Sequence, residues 1–373
     1  MGSQPKILIF HPALAPYRVD AFNLLSRRFN MRLMLFGENL QEQKFDQKVL
    51  TTQLKCQYGY LLSGFNFRKR YIRFGVIREI RRYRPDIVLT GEFSLSSIIV
   101  AIWRILTAGS FMHFIMTDDN PYLFENMGFI RRILRWMLIR SVNGFIVTSE
   151  EMRLAYGRMT PTWKQLHVGV LPIIYDERAL RKDETVVFAE AARWRKENLC
   201  DGEIALFFFG RLTKVKNLSW LIACVSDQCL PANAKLYLTG SGELEDELKA
   251  QVKNLRLSDK IIFIGRKEGL ALKTLMAAQD VMILPSISET FGAVVSESLQ
   301  WGAPCLVSDR VGAKTLINDS NGRVFCSNDA YSFHKSLSEI LQLRSHWHGF
   351  RPSLLQQNLN EAIDKLTKEI SHK

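Results

Sequence analysis

Two α/β domains, each a mostly parallel sheet covered by helices and meeting at a cleft, are what this sequence predicts, and three observations predict them. The chain has 373 residues, more than one ordinary core serves, and the usual domain size of about 150 to 200 residues makes two the natural number. Short apolar, β-branched runs alternate with longer helical patterns from the first residues onward, the rhythm of βαβ units. That alternation breaks once, over residues 172–202, where the chain turns charged and helical before a second series begins at Ile204. With 47% hydrophobic and 23% charged residues, the composition supports packed cores and excludes general disorder.

In the first series the candidate strands are 6–10, 31–36, 86–90, 111–116, 144–148 and 167–171, separated by amphipathic segments such as 17–28 and 129–140. The second series places strands at 204–209, 235–239, 261–264, 281–284, 304–308 and 323–325. A polar helical tail follows, broken at Pro352, and its last helix, about 354–373, is expected to cross back to the first domain. The domain expectation is therefore 1–172 with the returning helix, and 173–353.

The formal charge of +13 is concentrated in one half: residues 1–180 hold 25 Lys and Arg against 14 Asp and Glu, and the remainder holds 25 against 23. Such asymmetry calls for an acidic partner of that half, whether anionic lipid, a phosphate-bearing acceptor or nucleic acid. Nucleic acid is the least supported, because no helix-turn-helix, zinc finger or aromatic RNA-binding signature accompanies the charge. Six cysteines, Cys56, Cys200, Cys224, Cys229, Cys305 and Cys326, form no C-x-x-C pair, so neither a zinc site nor a disulfide framework is expected and a reducing cytoplasm fits best. The start, MGSQPKILIF, is too short in its apolar run for a secretory signal, and Lys6 spoils the myristoylation pattern begun by Gly2 and Ser3. Residues 93–116 are apolar but interrupted by Arg104, Gly109 and His113, which reads as helix then buried strand, with His113 a core residue.

Open α/β sheets bind ligands beyond the carboxyl ends of their strands, so the residues after each strand of the second series are the candidates. After 204–209 comes Gly210-Arg211, with Lys216 five residues further on; the two cations could neutralise a diphosphate, or the segment could be a solvated basic turn. After 235–239 comes Gly240-Ser241-Gly242, a G-x-G turn that could let the ligand approach the backbone or that backbone geometry alone would explain. Gly265-Arg266 follows 261–264, where backbone groups could read a nucleobase. The decisive segment runs from Pro285 to Leu299: it leaves an apolar strand and opens a helix. The amides of Phe291, Gly292, Ala293 and Val294 would face a phosphate at that helix start. Glu297, a turn into the helix, suits the vicinal hydroxyls of a ribose, and Glu289 those of a sugar.

These residues carry a resemblance. E-x7-E after a strand, with S-x-x-E-T-F-G inside it, G-R-L-x-K-x-K-N upstream and G-S-G-E-L between, is similar to glycosyltransferase family 4, over roughly residues 204–325. The resemblance implies a GT-B fold of two facing Rossmann-like domains, a nucleotide-diphosphate sugar donor in the second domain, an acceptor in the first, and retention of anomeric configuration. It places Arg211 and Lys216 on the donor diphosphate, Glu297 on the ribose and Glu289 on the transferred sugar. Two departures stand in the first domain. The loop after the first strand, His11 to Arg18, is not rich in glycine, which leaves Tyr17 or Arg18 to serve there; and where relatives carry a histidine after the fourth strand this chain has Thr117-Asp118-Asp119, so Asp118 takes that position and Asp119 the acceptor side. No D-x-D pair follows a strand, so the expectation is catalysis without a metal or other cofactor, the cation replaced by Arg211 and Lys216.

Residues 66–84 carry eight Lys and Arg against Glu79, interleaved with apolar positions, and read as a basic amphipathic helix; residues 129–140 repeat the theme. Both are expected at an anionic bilayer surface, or as solvated helices with ordinary buried faces. The function expected is transfer of a sugar to a glycan or lipid-linked acceptor, in polysaccharide or glycolipid synthesis, by a cytoplasmic enzyme peripheral to the inner face of the membrane; the alternative is a non-catalytic nucleotide-sugar-binding or scaffold protein of the same fold.

Overall fold

The computed structural model describes residues 4–39, 45–67, 70–160, 164–225, 230–343, 347 and 349–371, with backbone alone at Phe67 and Arg70. Gly2, Ser3, Cys229 and, within the basic segment, Arg68 and Lys69 lie outside the described residues. The chain divides into two compact units, residues 1–176 with 358–373, and residues 177–357.

The first unit opens with β1 (Lys6–His11), whose Ile7, Leu8, Ile9 and Phe10 are all buried, as a central parallel strand covered on both faces must be. Pro16 starts α1 (Pro16–Ser26) with its φ already set for a helix, and β2 (Asn30–Leu35) returns beside β1. Then come α2 (Gln47–Thr52), capped by the Asp46 side chain, and β3 (Gln57–Tyr60), an edge strand whose polar sequence hides it from a search for apolar runs. A hairpin follows, β4 (Gly64–Phe67) with β5 (Arg70–Arg73), and only then α3 (Val76–Tyr83).

The single basic helix expected over 66–84 is thus corrected to a hairpin plus a two-turn helix. Two side chains tie the hairpin to the sheet. The Arg73 guanidinium donates to Phe36 O at 2.7 Å, Phe65 O at 3.1 Å and Asn66 Oδ1 at 2.8 Å, and the Tyr71 hydroxyl donates to Asn39 O. A continuous helix would forfeit these contacts, and Phe65, Phe67 and Tyr71 are good strand formers in any case.

β6 (Ile87–Gly91), α4 (Leu95–Leu106), β7 (Met112–Met116), α5 (Pro121–Glu125), α6 (Phe129–Ser141), β8 (Gly144–Val147), α7 (Glu150–Met159) and β9 (His167–Val170) complete a seven-stranded parallel sheet of order β3-β2-β1-β6-β7-β8-β9. The apolar stretch 93–116 is indeed helix then strand, and no described helix is long and apolar enough to cross a membrane. His113 is fully buried in β7, its Nε2 2.9 Å from Thr90 Oγ1; burial, then the Arg104 charge, push its imidazole down to about 3, so it is neutral in the fold.

In the second unit α8 (Glu177–Leu180) and α9 (Glu184–Asn198) lead to β10 (Ile204–Phe209), α10 (Leu218–Cys224), β11 (Ala234–Thr239), α11 (Glu245–Asn254), β12 (Ile261–Phe263), α12 (Gly269–Ala278), β13 (Val281–Leu284), α13 (Ala293–Gln300), β14 (Cys305–Ser308), β15 (Gly322–Phe325) and α14 (Ala330–Leu343). Six parallel strands take the order β12-β11-β10-β13-β14-β15. This is the doubly wound order whose reversal lies between β10 and β13, the place where such sheets take ligands. Asp280, fully buried, holds the lower edge together: it accepts from Ala205 N at 2.8 Å, Arg195 Nη1 at 3.1 Å and Arg351 Nη2 at 3.1 Å. The last helix, α15 (Leu359–Ser371), belongs to the first unit, burying Ile363, Leu366 and Ile370 against α1 and β9 while Arg28 pairs with Asp364 at 2.7 Å. Sequence placed the boundaries at 172/173 and 353/354; the contacts divide the chain at 176/177 and 357/358.

Candidate functional site

In the second unit the turn after β10 and the turn after β11 are laced together. Leu212 N donates to Ser241 O at 2.9 Å and Leu244 N to Leu212 O at 3.1 Å. Gly240, at φ +149, lies so close to Gly210 that a Cβ on it would stand 1.8 Å from the Gly210 carbonyl oxygen. Glycine is required there by backbone packing. Arg211 is exposed directly after Gly210.

A short 3-10 turn over Lys214–Lys216 then aims Lys216 at the loop that follows β13. Its ammonium forms an ion pair with Glu289 in which both side chains are largely sheltered, and Ser286 Oγ donates to the same carboxylate oxygen at 3.4 Å. Two main-chain bonds clamp Glu289 in place, its N–H to Arg310 O at 3.4 Å and the Gly312 N–H to its carbonyl at 3.2 Å. Lys216 and Glu289, 73 residues apart, are thereby brought together.

Glu289 leads to buried Phe291 and to Gly292, the residue before α13, at φ +91. A Cβ there would press on Leu284, Val311 and the Glu289 side chain at 3.0 to 3.3 Å, so glycine keeps the entry to the helix tight. Gly292 has no side chain to cap α13, and the amides of Ala293 and Val294 fall among those a helix start leaves without an intrahelical acceptor. Glu297, half-buried, stands four residues beyond Ala293 and so rises from the same helix face. Positive charge, helix-start amides and two carboxylates are a cradle for a polyanion flanked by hydroxyl groups. Arg266, after β12, is exposed and its Nε donates to Glu268 Oε1 at 2.9 Å.

In the first unit the corresponding strand ends are occupied by a network of charges. Arg18, on α1 and only 2% exposed, forms an ion pair with Asp118 after β7, while Tyr17 beside it is half-buried. Asp119 is engaged from two sides: Arg135 donates to it at 2.8 Å and the Tyr156 hydroxyl at 2.7 Å. The Arg135 guanidinium is in turn stacked on Phe93 at 4.6 Å and Phe124 at 5.3 Å. His11, at the end of β1, donates from Nδ1 to Ala13 O at 2.8 Å; burial, then the Arg18 charge, push its imidazole down to about 4.

Glu92, which sequence reasoning passed over, completes this network. It follows β6 directly, in a left-handed conformation at φ 57 that residues with a Cβ seldom adopt. Its carboxylate accepts from the Asp118 N–H at 3.1 Å and from Thr117 Oγ1 at 3.3 Å. Enclosure by neighbouring atoms, then the like charges of Asp118 and Asp119, push it up to about 8, although water still reaches the side chain and moderates the rise. The rule applied to the second series, to look just after each strand, would have found it after 86–90.

Among the described residues no three His, Cys, Asp or Glu side chains are placed to hold a metal ion, and Cys56, Cys200, Cys305 and Cys326 are free thiols.

Residues 190–364 match the family described as glycosyl transferases group 1. The chain is 31% identical over 203 residues to an uncharacterized glycosyltransferase of Methanocaldococcus jannaschii, covering 54% of this chain and 50% of that one. It is 27% identical over 267 residues to the alpha-monoglucosyldiacylglycerol synthase of Streptococcus pneumoniae, covering 68% and 60%. The matches thus span about half the length of these curated relatives. Among solved structures, Anabaena HepE in complex with UDP superposes with a TM-score of 0.70 at 16% identity, covering 98% of this chain and 97% of that one, which is a likeness of fold.

Proposed function

From a chain whose residues 190–364 are a group 1 glycosyl transferase domain of the family 4 type, in a GT-B fold, we propose a retaining enzyme that moves a sugar from a nucleotide-diphosphate donor to a glycan or lipid-linked acceptor. The observation that carries this reading is the meeting of Lys216 and Glu289 at the entrance to α13.

In this reading the donor diphosphate lies against the amides of Ala293 and Val294, its charge met by Arg211 and Lys216, while Glu297 accepts from the ribose hydroxyls and Glu289 from those of the sugar. Lys216 has three N–H donors, so a phosphate oxygen can share it with Glu289. The bond from the anomeric carbon to the diphosphate oxygen breaks, and the acceptor oxygen bonds to that carbon on the same face. The acceptor proton passes to the departing diphosphate. The protein's part is orientation and stabilisation of the leaving charge. The first unit takes the acceptor, with Asp118, Tyr17, Arg18 and Glu92 as the polar groups about it. A membrane-linked acceptor met from the cytoplasm agrees with the diacylglycerol product named for the pneumococcal relative.

Thermal shift with the diphosphates of uridine, guanosine and adenosine tests the reading, uridine first because HepE holds UDP. A ligand at about a hundred times its Kd stabilises the native state by about 2.7 kcal/mol, a rise of several degrees. Silence from all three, with no nucleotide released from the corresponding sugar donors, overturns it. Stabilisation without turnover on any acceptor would favour the non-catalytic binder.

A further inference from the structure

We propose that one helical face of the first unit, built by α4 and α6 and flanked by α3, docks on an anionic bilayer surface. It deepens the lipid-linked acceptor reading, on which its purpose rests, although the docking itself is measured without donor or acceptor.

The three helices cover the same side of the seven-stranded sheet. Val76 and Ile80 of α3 share a buried cluster with Val100 of α4, and Ala101 of α4 shares another with Leu138 and Ile139 of α6. α4 lies between the other two, and Arg104 near its end donates to Ser141 O, the last residue of α6, at 3.2 Å. Their outward faces therefore look the same way.

Those faces are apolar where a water-facing helix should be polar. On α6 the outward side chains include Phe129 (77% exposed), Ile130 (74%), Ile133, Trp136 and Met137. On α4 they are Leu95, Ile102, Ile105 and Leu106 (72%). Nine large apolar residues on two packed helices form a patch of a kind that water-soluble surfaces avoid unless it has an occupant.

The charges say which occupant. The sequences of α3, α4 and α6 contain eight arginines and one carboxylate, Glu79, which is buried. Arg78, Arg81, Arg82, Arg131 and Arg132 are exposed, Arg81 stands 4.7 Å over the Trp103 ring, and Arg140 lies 3.5 Å over the Trp136 ring. Arginines beside an apolar face, with tryptophan at the border, match the layering of acyl chains beneath anionic headgroups. A second copy of the chain would set arginine against arginine. With no described helix able to span a bilayer, α4 and α6 lie in the interface.

The test is co-sedimentation of the full chain with vesicles of phosphatidylcholine alone and of an equimolar mixture with phosphatidylglycerol, beside the triple variant Ile105→Ser, Phe129→Ser, Trp136→Ser. These residues are exposed, so the variant keeps its fold, checked by its melting temperature and its response to nucleoside diphosphate. Binding is expected to the mixed vesicles, weakened by high salt, and about tenfold or more weaker in the variant. Equal binding by variant and parent overturns the proposal. So does equal binding to neutral vesicles, no binding at all, or a dimer in solution that the variant dissolves while vesicles are ignored. Failure here with intact nucleotide response leaves the donor reading standing; vesicle binding without nucleotide response does the reverse.

Discussion

The two units share a parallel, doubly wound plan but treat the carboxyl ends of their central strands in different ways. In residues 177–357 those ends run into close-packed loops that deliver Lys216 to Glu289 at the start of α13. In the other unit the same position carries a larger charged network: Arg18 holds Asp118, and Arg135 with Tyr156 engages Asp119. A doubly wound sheet always offers this location for a ligand. Both units pair their charges there, and they differ in what stands beside the pair: a helix start in the second, further carboxylates in the first.

Three changes would break or sharpen the contrast. The largest effect is expected from Lys216→Ala, which on the proposed reading removes a donor to the leaving charge: transfer should fall by about a hundredfold to a thousandfold while the fold persists. It is read by nucleotide release beside a melting curve, and a stability loss in place of a rate loss would make the second unit's pair as structural as the first unit's network.

Next is Asp119→Ala, which strands the buried Arg135; the expected loss is about 3 kcal/mol of stability, read from the urea midpoint. Retained stability with lost transfer would instead move Asp119 into the chemistry and erase the difference between the units.

Smallest is Glu92→Gln. Its folded carboxyl is raised to about 8, so the native state holds a proton that the unfolded chain has already released, and parent stability declines as pH rises from the ordinary carboxylate range to about 8. The glutamine variant should match the parent near pH 4 and exceed it above pH 8, by about 1 kcal/mol because water reaches the side chain. A gap that does not change with pH would place the like-charge crowding elsewhere.

The second unit was the more legible. Each of its six strands appears within a residue or so of where apolar, β-branched runs predicted it, because a parallel strand buried on both faces needs a continuous apolar sequence. The motif residues Arg211, Lys216, Glu289 and Glu297 stand after strands or inside α13, where their spacing implied. In the first unit β3 escapes because an edge strand can be polar, and the helix expected from Asn66 onward takes in the end of β4 and all of β5 because their basic, apolar pattern fits either period.

By itself the sequence determined the alternation of strands and helices, the two parallel sheets, the helical tail and the family resemblance, since each rests on which side chains recur at short separations. Only the tertiary structure decided that Glu92 joins Asp118, that Asp119 is held by Arg135 and Tyr156, that Gly240 is dictated by the Gly210 carbonyl, and that α4 lies beside α6. Those pairings join residues far apart in the chain, and their distances follow from packing.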